Sequence, residues 1–242
     1  MAAMLSKGSK GFDVAVLQVQ LNVKGTPSPG LKVDGAFGPL TQAAVVSFQR
    51  RAGLAADGVV GPLTHAALSQ GLMLSAANHN VTHIAQPTPT TCWAASTAMM
   101  TRSTVAAVRA KTPADMIAAD GGLLNSSESD QAVVTGKRYG DIHGLRCHAP
   151  MSWSVAALVN EIRRGPVMFD MLWSASDYVQ GNGSPGHMIV VSAVVSDNNP
   201  TGSGTYLLVL DPLPTHFGKV KWVEYYTWIN EVSTRTYRVF AR

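Results

Sequence analysis

Two cysteines and seven histidines supply all the thiol and imidazole chemistry in the 242 residues. Cys92 follows Gln86-Pro87-Thr88-Pro89-Thr90-Thr91 and precedes Trp93-Ala94-Ala95-Ser96. The two prolines hold the chain extended, Thr90 or Thr91 can cap, and the Ala- and Met-rich run to Met100 contains no helix breaker. This puts Cys92 at or near a helix N-terminus. There the positive helix end and its unpaired N–H groups favour thiolate over thiol, the form that attacks a carbonyl. Gln86, six positions upstream, can offer its side-chain amide to the developing oxyanion beside the backbone N–H of Cys92. The plain alternative is a small buried residue at the head of an Ala-rich helix.

A thiolate needs a base, and the candidates are His79, His83, His143, His148, His187 and His216. His187 stands out because it follows a Gly/Ser/Pro-rich loop, Gly181 to Gly186, expected to be flexible. It also opens the β-branched run Met188 to Val195, which reads as a buried central strand. His143 and His148 fall in a Gly-containing stretch expected to be solvated, His79 and His83 in a linker, and His216 in a loop. The imidazole needs an acceptor to fix its tautomer. If 188–195 and 205–210 form a hairpin through the Asn/Gly-rich turn between them, antiparallel pairing returns Asp211 beside His187. A turn-capping role for Asp211 is the alternative.

Cys147, between Arg146 and His148, reads as a partly buried thiol. Two cysteines are too few for a disulfide framework. No His-x-x-x-His or Cys-x-x-Cys spacing points to zinc, so neither metal nor cofactor is expected.

The elements ahead of this array form a separate unit. Asp34-Gly35-Ala36-Phe37-Gly38-Pro39-Leu40-Thr41 recurs 23 residues later as Asp57-Gly58-Val59-Val60-Gly61-Pro62-Leu63-Thr64. Each copy is a tight turn, an apolar anchor and a Gly-Pro entry into a helix. With a helix over Asp13 to Val23 closing on Val45, Phe48, Leu54 and Leu68, a three-helix bundle is predicted. Gly11-Phe12-Asp13-Val14 with Leu17-Gln18, Leu21, the two repeats and Phe48-Gln49 resembles a peptidoglycan-binding domain of the common three-helix type. The resemblance implies peptidoglycan as a partner, although turn and cap geometry alone accounts for Asp34, Gly35, Gly38 and Thr41. Six basic residues against three acidic ones suit an anionic wall polymer, as they do a solvated surface.

Gln86, then Cys92-Trp93-Ala94-Ala95-Ser96, then Gly186-His187 and Asp211-Pro212 resemble a papain-like cysteine hydrolase. The resemblance implies Cys92 as nucleophile, His187 as base then acid, Asp211 as imidazole orienter and Gln86 as oxyanion donor. Thr90-Thr91 in place of Cys-Gly-Ser, and Asp-Pro in place of Asn-Ser-Trp, turn it towards bacterial enzymes such as effector proteases and double-glycine leader peptidases. Between these motifs, Ser152 to Arg164 carries helical spacing with a serine cap and leads to a strand over Val167 to Met171. Further strands are predicted over Trp222 to Ile229 and Thr236 to Ala241.

The predicted fold class is therefore α+β overall. A small all-α three-helix domain (4–74) and a linker (75–83) lead to a papain-like α+β domain (84–242) with its N-terminal helix packed on an antiparallel sheet. A net charge of +4 without a basic run longer than two excludes a nucleic-acid partner, and no apolar run approaches the roughly 20 residues of a membrane span. The expected activity is amide hydrolysis in the wall peptide, as endopeptidase or amidase. The alternatives are a cysteine protease cutting a protein target, with the first domain used for envelope retention, and a non-catalytic wall-binding scaffold. The sequence opens without a cleavable signal peptide. This predicts a secreted, periplasmic or wall-associated effector delivered by a contact-dependent machine, with a secretion-machine component and an immunity or inhibitor protein as further partners.

Overall fold

The structure, a computed structural model, describes residues 3–124, 129–148, 153–172, 186–232 and 238–242. Its first part is three helices: α1 (Phe12–Lys24), α2 (Pro39–Arg51) and α3 (Pro62–Ser69). The latter two start at Gly-Pro, where proline's missing N–H costs nothing at a first helical position. Val14, Leu17, Leu21, Phe37, Val45, Phe48, Val60 and Leu68 form its core. Leu54, expected in this core, is only half-buried.

Each Asp-Gly turn is fastened by a buried glutamine from the preceding helix. Gln18 donates from Nε2 to Asp34 Oδ1 (2.9 Å) and Ala36 O (3.1 Å), and its Oε1 accepts from Asp34 N (3.1 Å) and Gly35 N (2.9 Å). Gln49 repeats the pattern with Asp57 Oδ1 (2.9 Å), Val59 O (2.8 Å) and Gly58 N (2.9 Å). Gly35 and Gly58 have φ of 69° and 74°, the left-handed region where a Cβ is penalised. The sequence repeat is thus a repeat of this fastening.

The second part is an antiparallel sheet flanked by helices. Its elements are β1 (Ser75–Asn78), α4 (Cys92–Thr101), α5 (Val105–Lys111), α6 (Ser129–His143), β2 (Arg146–His148), α7 (Val155–Arg164), β3 (Val167–Leu172), β4 (Gly186–Ser196), β5 (Thr205–Asp211), β6 (Lys219–Glu224), α8 (Tyr225–Val232) and β7 (Arg238–Ala241). The strand order is β2-β7-β3-β4-β5-β6, and β1 pairs with the far end of β4. Both faces are covered, which is why β4 reads as an unbroken apolar run. Met188 and Val190 join the core beneath α4 to α6, while Ile189, Val191 and Val194 join the core beneath α7 and α8. α4 is buried along Cys92 to Met100, so only small or apolar residues fit.

Three expectations need correction. Ser75–Asn78, expected as linker, is a sheet strand, and His79 N continues the pairing to Ser192 O at 3.0 Å. Backbone hydrogen bonding to the exposed end of β4 outweighs the small, polar composition that suggested a linker. The strand predicted over Trp222 to Ile229 ends at Glu224, because Tyr225, Trp228 and Ile229 sit at helical spacing. Trp228 is buried against Phe169 with ring centroids 4.7 Å apart. His143, expected solvated, is the buried end of α6, bonded from Nε2 to Thr112 Oγ1 (2.9 Å) and packed on Tyr139. Of the predicted helix from Ser152, the described part begins with Ser154, whose Oγ accepts from Ala157 N (3.2 Å) as cap. Residues 181–185 of the expected flexible loop and Ser152 itself lie outside the described residues.

The two parts touch. Ala15 and Val19 of α1 bury with Val33 and Val195, flanked by Phe12, Leu74, Tyr206 and Trp222. Phe12 stacks on Trp222 at 6.2 Å.

Candidate active site

α4 opens at Cys92, with Thr91 at the N-cap position but its hydroxyl turned away from the helix. Thr91 Oγ1 instead donates to Thr88 O (3.1 Å) and accepts from Thr88 N (3.2 Å), closing the Pro-rich turn on itself. The N–H groups of the first helical turn are thereby left uncapped by Thr91, facing the region of the sulfur. Thr90 Oγ1 donates to Asp120 O (2.7 Å) and Trp93 Nε1 to Gly121 O (3.1 Å), so the 120–121 turn braces both sides of Cys92. Ser96 Oγ donates to Met188 O (2.8 Å) and ties α4 to the residue after His187.

β4 and β5 pair with Val190 opposite Leu210, a register that sets Asp211 one diagonal step from His187 on the same sheet face. His187 Nε2 and Asp211 Oδ1 are 2.6 Å apart, and Leu213 N donates to the same oxygen at 2.8 Å. Nε2 is thus committed to Asp211, leaving Nδ1 for the hydrogen bond to the Cys92 sulfur.

Burial disfavours a charge on His187, but the hydrogen bonds to Asp211 and Cys92, with the charges of both, outweigh it and raise the imidazole to about 9. Burial also opposes the Asp211 carboxylate. The hydrogen bond and charge of His187 and the Leu213 N–H prevail and hold Asp211 below the usual carboxylate range. His187 is therefore an imidazolium at neutral pH, held between sulfur and carboxylate.

The segment before the nucleophile is stitched to the segment after Asp211. His83 Nε2 donates to Asp211 O (2.9 Å), Gln86 N to Pro212 O (3.1 Å) and His216 N to Gln86 O (2.9 Å). These bonds bring two distant stretches of chain to one point. A small cavity of about 70 Å³ opens there, lined by Cys92, Trp93, Thr90, Asp170, His187 and Leu213 among others.

Of the four residues expected at the site, Cys92, His187 and Asp211 converge and Gln86 does not reach the cavity. Gln86 is fully buried, and both hydrogens of its amide are engaged, with Thr88 O (2.7 Å) and Pro89 O (2.9 Å). In this arrangement it shapes the turn that carries Cys92.

Sequence reading missed two contributors. Asp170, buried in β3, lines the cavity and accepts from Arg238 Nε of β7 at 2.9 Å. An acid within the apolar run Val167 to Leu172 was its signal. His83 is the second, with no local signal because its partner is 128 positions away. His79 bonds to Ile162 O, and His148 lies 3.4 Å from Glu161. Cys147 is half-buried, and burial raises its thiol. Among the described residues, no group of three or more His, Cys, Asp or Glu could hold a metal ion, and no helix is long and apolar enough to cross a membrane.

Residues 10–68 match the peptidoglycan binding domain family. Among solved structures, the chain is similar to the SleB N-terminal domain (36% identity over 29% of this chain and 93% of that one, TM-score 0.27) and a Burkholderia AP3 phage endolysin (43%, 28% and 25%, TM-score 0.26). It is also similar to an L,D-transpeptidase from Xylanimonas cellulosilytica (37% identity over 36% of this chain and 39% of that one, TM-score 0.26). The chain thus spans a quarter of the endolysin's length and about two fifths of the transpeptidase's. No curated protein matches it. Residues 75–226 match the papain-like cysteine protease AvrRpt2, and with more than half of its length so matched, the chain belongs to the AvrRpt2 family of papain-like cysteine proteases, joined to a peptidoglycan-binding domain.

Proposed function

We propose that the protein hydrolyses amide bonds in the peptide part of the cell wall, as endopeptidase or amidase. The observation that carries this reading is the Cys92–His187–Asp211 array on the same chain as a peptidoglycan-binding domain. Cys92 attacks the amide carbonyl as thiolate, and the oxyanion is met by N–H groups at the head of α4. His187 gives its Nδ1 proton to the leaving nitrogen as the C–N bond breaks and a thioester remains. Water then attacks the thioester, His187 takes the proton back, and the C–S bond breaks to release the acid. Asp211 holds the ring and its charge throughout. The domain ahead of the site raises the local concentration of wall peptide without any new contact at the sulfur.

A boundary between the two domains near residue 74 and delivery as a secreted antibacterial effector belong to the same proposal, the latter motivated by the pairing of a wall-binding and a protein-cutting module. A second reading, favoured by the protease family match, is cleavage of a protein target with the first domain serving retention. Incubating wild type and Cys92→Ala with purified peptidoglycan and with a mixed peptide library, and reading products by mass, tests both. New amine and carboxyl ends in the wall made only by wild type are expected. Library cleavage with the wall untouched would replace the first reading by the second, and turnover of neither would leave a scaffold.

A further inference from the structure

A second, larger cavity lies at the other end of the nucleophile helix. It measures about 540 Å³, within the range of small-ligand sites, against about 70 Å³ beside the sulfur. α4 is ten residues long, so the two cavities are separated by ~15 Å along it.

The lining combines guanidiniums with an aliphatic wall. Arg102, Arg164 and Arg242 contribute, no Asp or Glu side chain does, and the half-buried Val81 and Ile84 lie among them. Arg164 keeps one arm on Glu161 at 3.3 Å. Arg102 and Arg242 form no ion pair among the described residues. Unpaired guanidiniums around one concavity repel each other until an anion enters. The negative end of the α4 dipole opposes an anion, but it amounts to roughly half a charge against the two unpaired arginines.

Arg102 caps α4 in the left-handed conformation (φ 54°, ψ 43°). Glycine or asparagine fills such a position at lower cost, so an arginine there is carried for its side chain. Val81 and Ile84 select the rest of the ligand. A bare phosphate would use the guanidiniums and leave this aliphatic surface uncovered, whereas an apolar residue would cover it.

We propose that this cavity is a second binding site, for a short peptide bearing two or more carboxylates around an apolar side chain. It goes beyond the hydrolase reading and does not depend on it.

The test is calorimetric titration of the full-length Cys92→Ala protein, which removes turnover, with the peptide Glu-Leu-Glu, the neutral peptide Gln-Leu-Gln amide and inorganic pyrophosphate. Arg102→Asn suits the left-handed position, and Arg242→Gln alone, at an exposed residue, serves as the variant least able to disturb folding. Glu-Leu-Glu is expected to bind, more weakly as salt is raised, and about tenfold or more weakly once both arginines are replaced. Measurable weakening by Arg242→Gln alone and no binding of the neutral peptide are also expected. Absence of Glu-Leu-Glu binding, equal binding of the neutral peptide, or indifference to both substitutions would overturn the proposal. Pyrophosphate binding without Glu-Leu-Glu binding would overturn it as well, in favour of a phosphate site.

Discussion

His187 is the residue on which the chemistry turns. Its raised value of about 9 gives the array a pH signature. Hydrolysis is expected to fall as pH rises through about 9, when the imidazolium that protonates the leaving nitrogen is lost, and a kcat/KM profile between pH 6 and 10 checks this. Asp211→Asn removes the carboxylate that sustains the charge. It should move that alkaline limb to lower pH and reduce kcat/KM by about 10²- to 10⁴-fold. The same coupling acts on stability. The raised His187 value makes its contribution complete below its ordinary 6.5 and lost as pH climbs through about 9, while the lowered Asp211 value makes its contribution complete above the ordinary carboxylate range and lost in acid. Urea midpoints of wild type and Asp211→Asn should therefore differ most between those limits and converge at either side. Gln86→Ala separates two roles. Loss of its buried bonds to Thr88 and Pro89 predicts about 1–3 kcal/mol of destabilisation with hydrolysis retained after correction for folded fraction. A loss of about 10²-fold or more in kcat at full folding would instead make it an oxyanion donor.

At the scale of elements, the glutamine fastenings make the three-helix part cooperative. Gln18→Ala removes the acceptor of the Asp34 and Gly35 N–H groups and should cost about 2–3 kcal/mol, read as a shift in denaturant midpoint of the wall-binding part. Gln18→Glu should not rescue it, since it cannot donate to Asp34. Much of this architecture was legible in the sequence. Gly-Pro helix starts, the 23-residue repeat, and the turn after β4 all encode local geometry. The hairpin that sets Asp211 beside His187 follows from strand periodicity and a turn alone. Elements whose conformation depends on distant partners were not legible. Ser75–Asn78 is a strand only because β4 offers it an edge, and Tyr225 turns helical because Trp228 finds Phe169 across the sheet. Gln86 matched a motif by spacing, but two backbone carbonyls two and three residues along the chain occupy its amide.

Across the whole molecule, β4 runs from the cavity at His187 to Val195, which buries against α1 of the wall-binding part. The two parts therefore share a strand-to-helix contact rather than a free tether. Phe12 and Trp222 form the aromatic part of that contact. Trp222→Ala should leave Cys92 chemistry on a small peptide substrate within about twofold. It should also increase protease sensitivity between residues 70 and 80 and lower turnover of intact wall more than turnover of the small peptide. Equal loss on both substrates would show that the contact supports folding and not targeting.

The claim beneath all of these is that His187 and Asp211 make the Cys92 sulfur the reactive thiol of the chain. The most direct measurement is the rate of iodoacetamide alkylation at Cys92 and Cys147 near neutral pH, resolved by peptide mass, in wild type and His187→Ala. Cys92 is expected to react about tenfold or more faster than Cys147, whose thiol burial raises, and to lose that advantage without His187. Faster labelling of Cys147, or a Cys92 rate indifferent to His187→Ala, would contradict it.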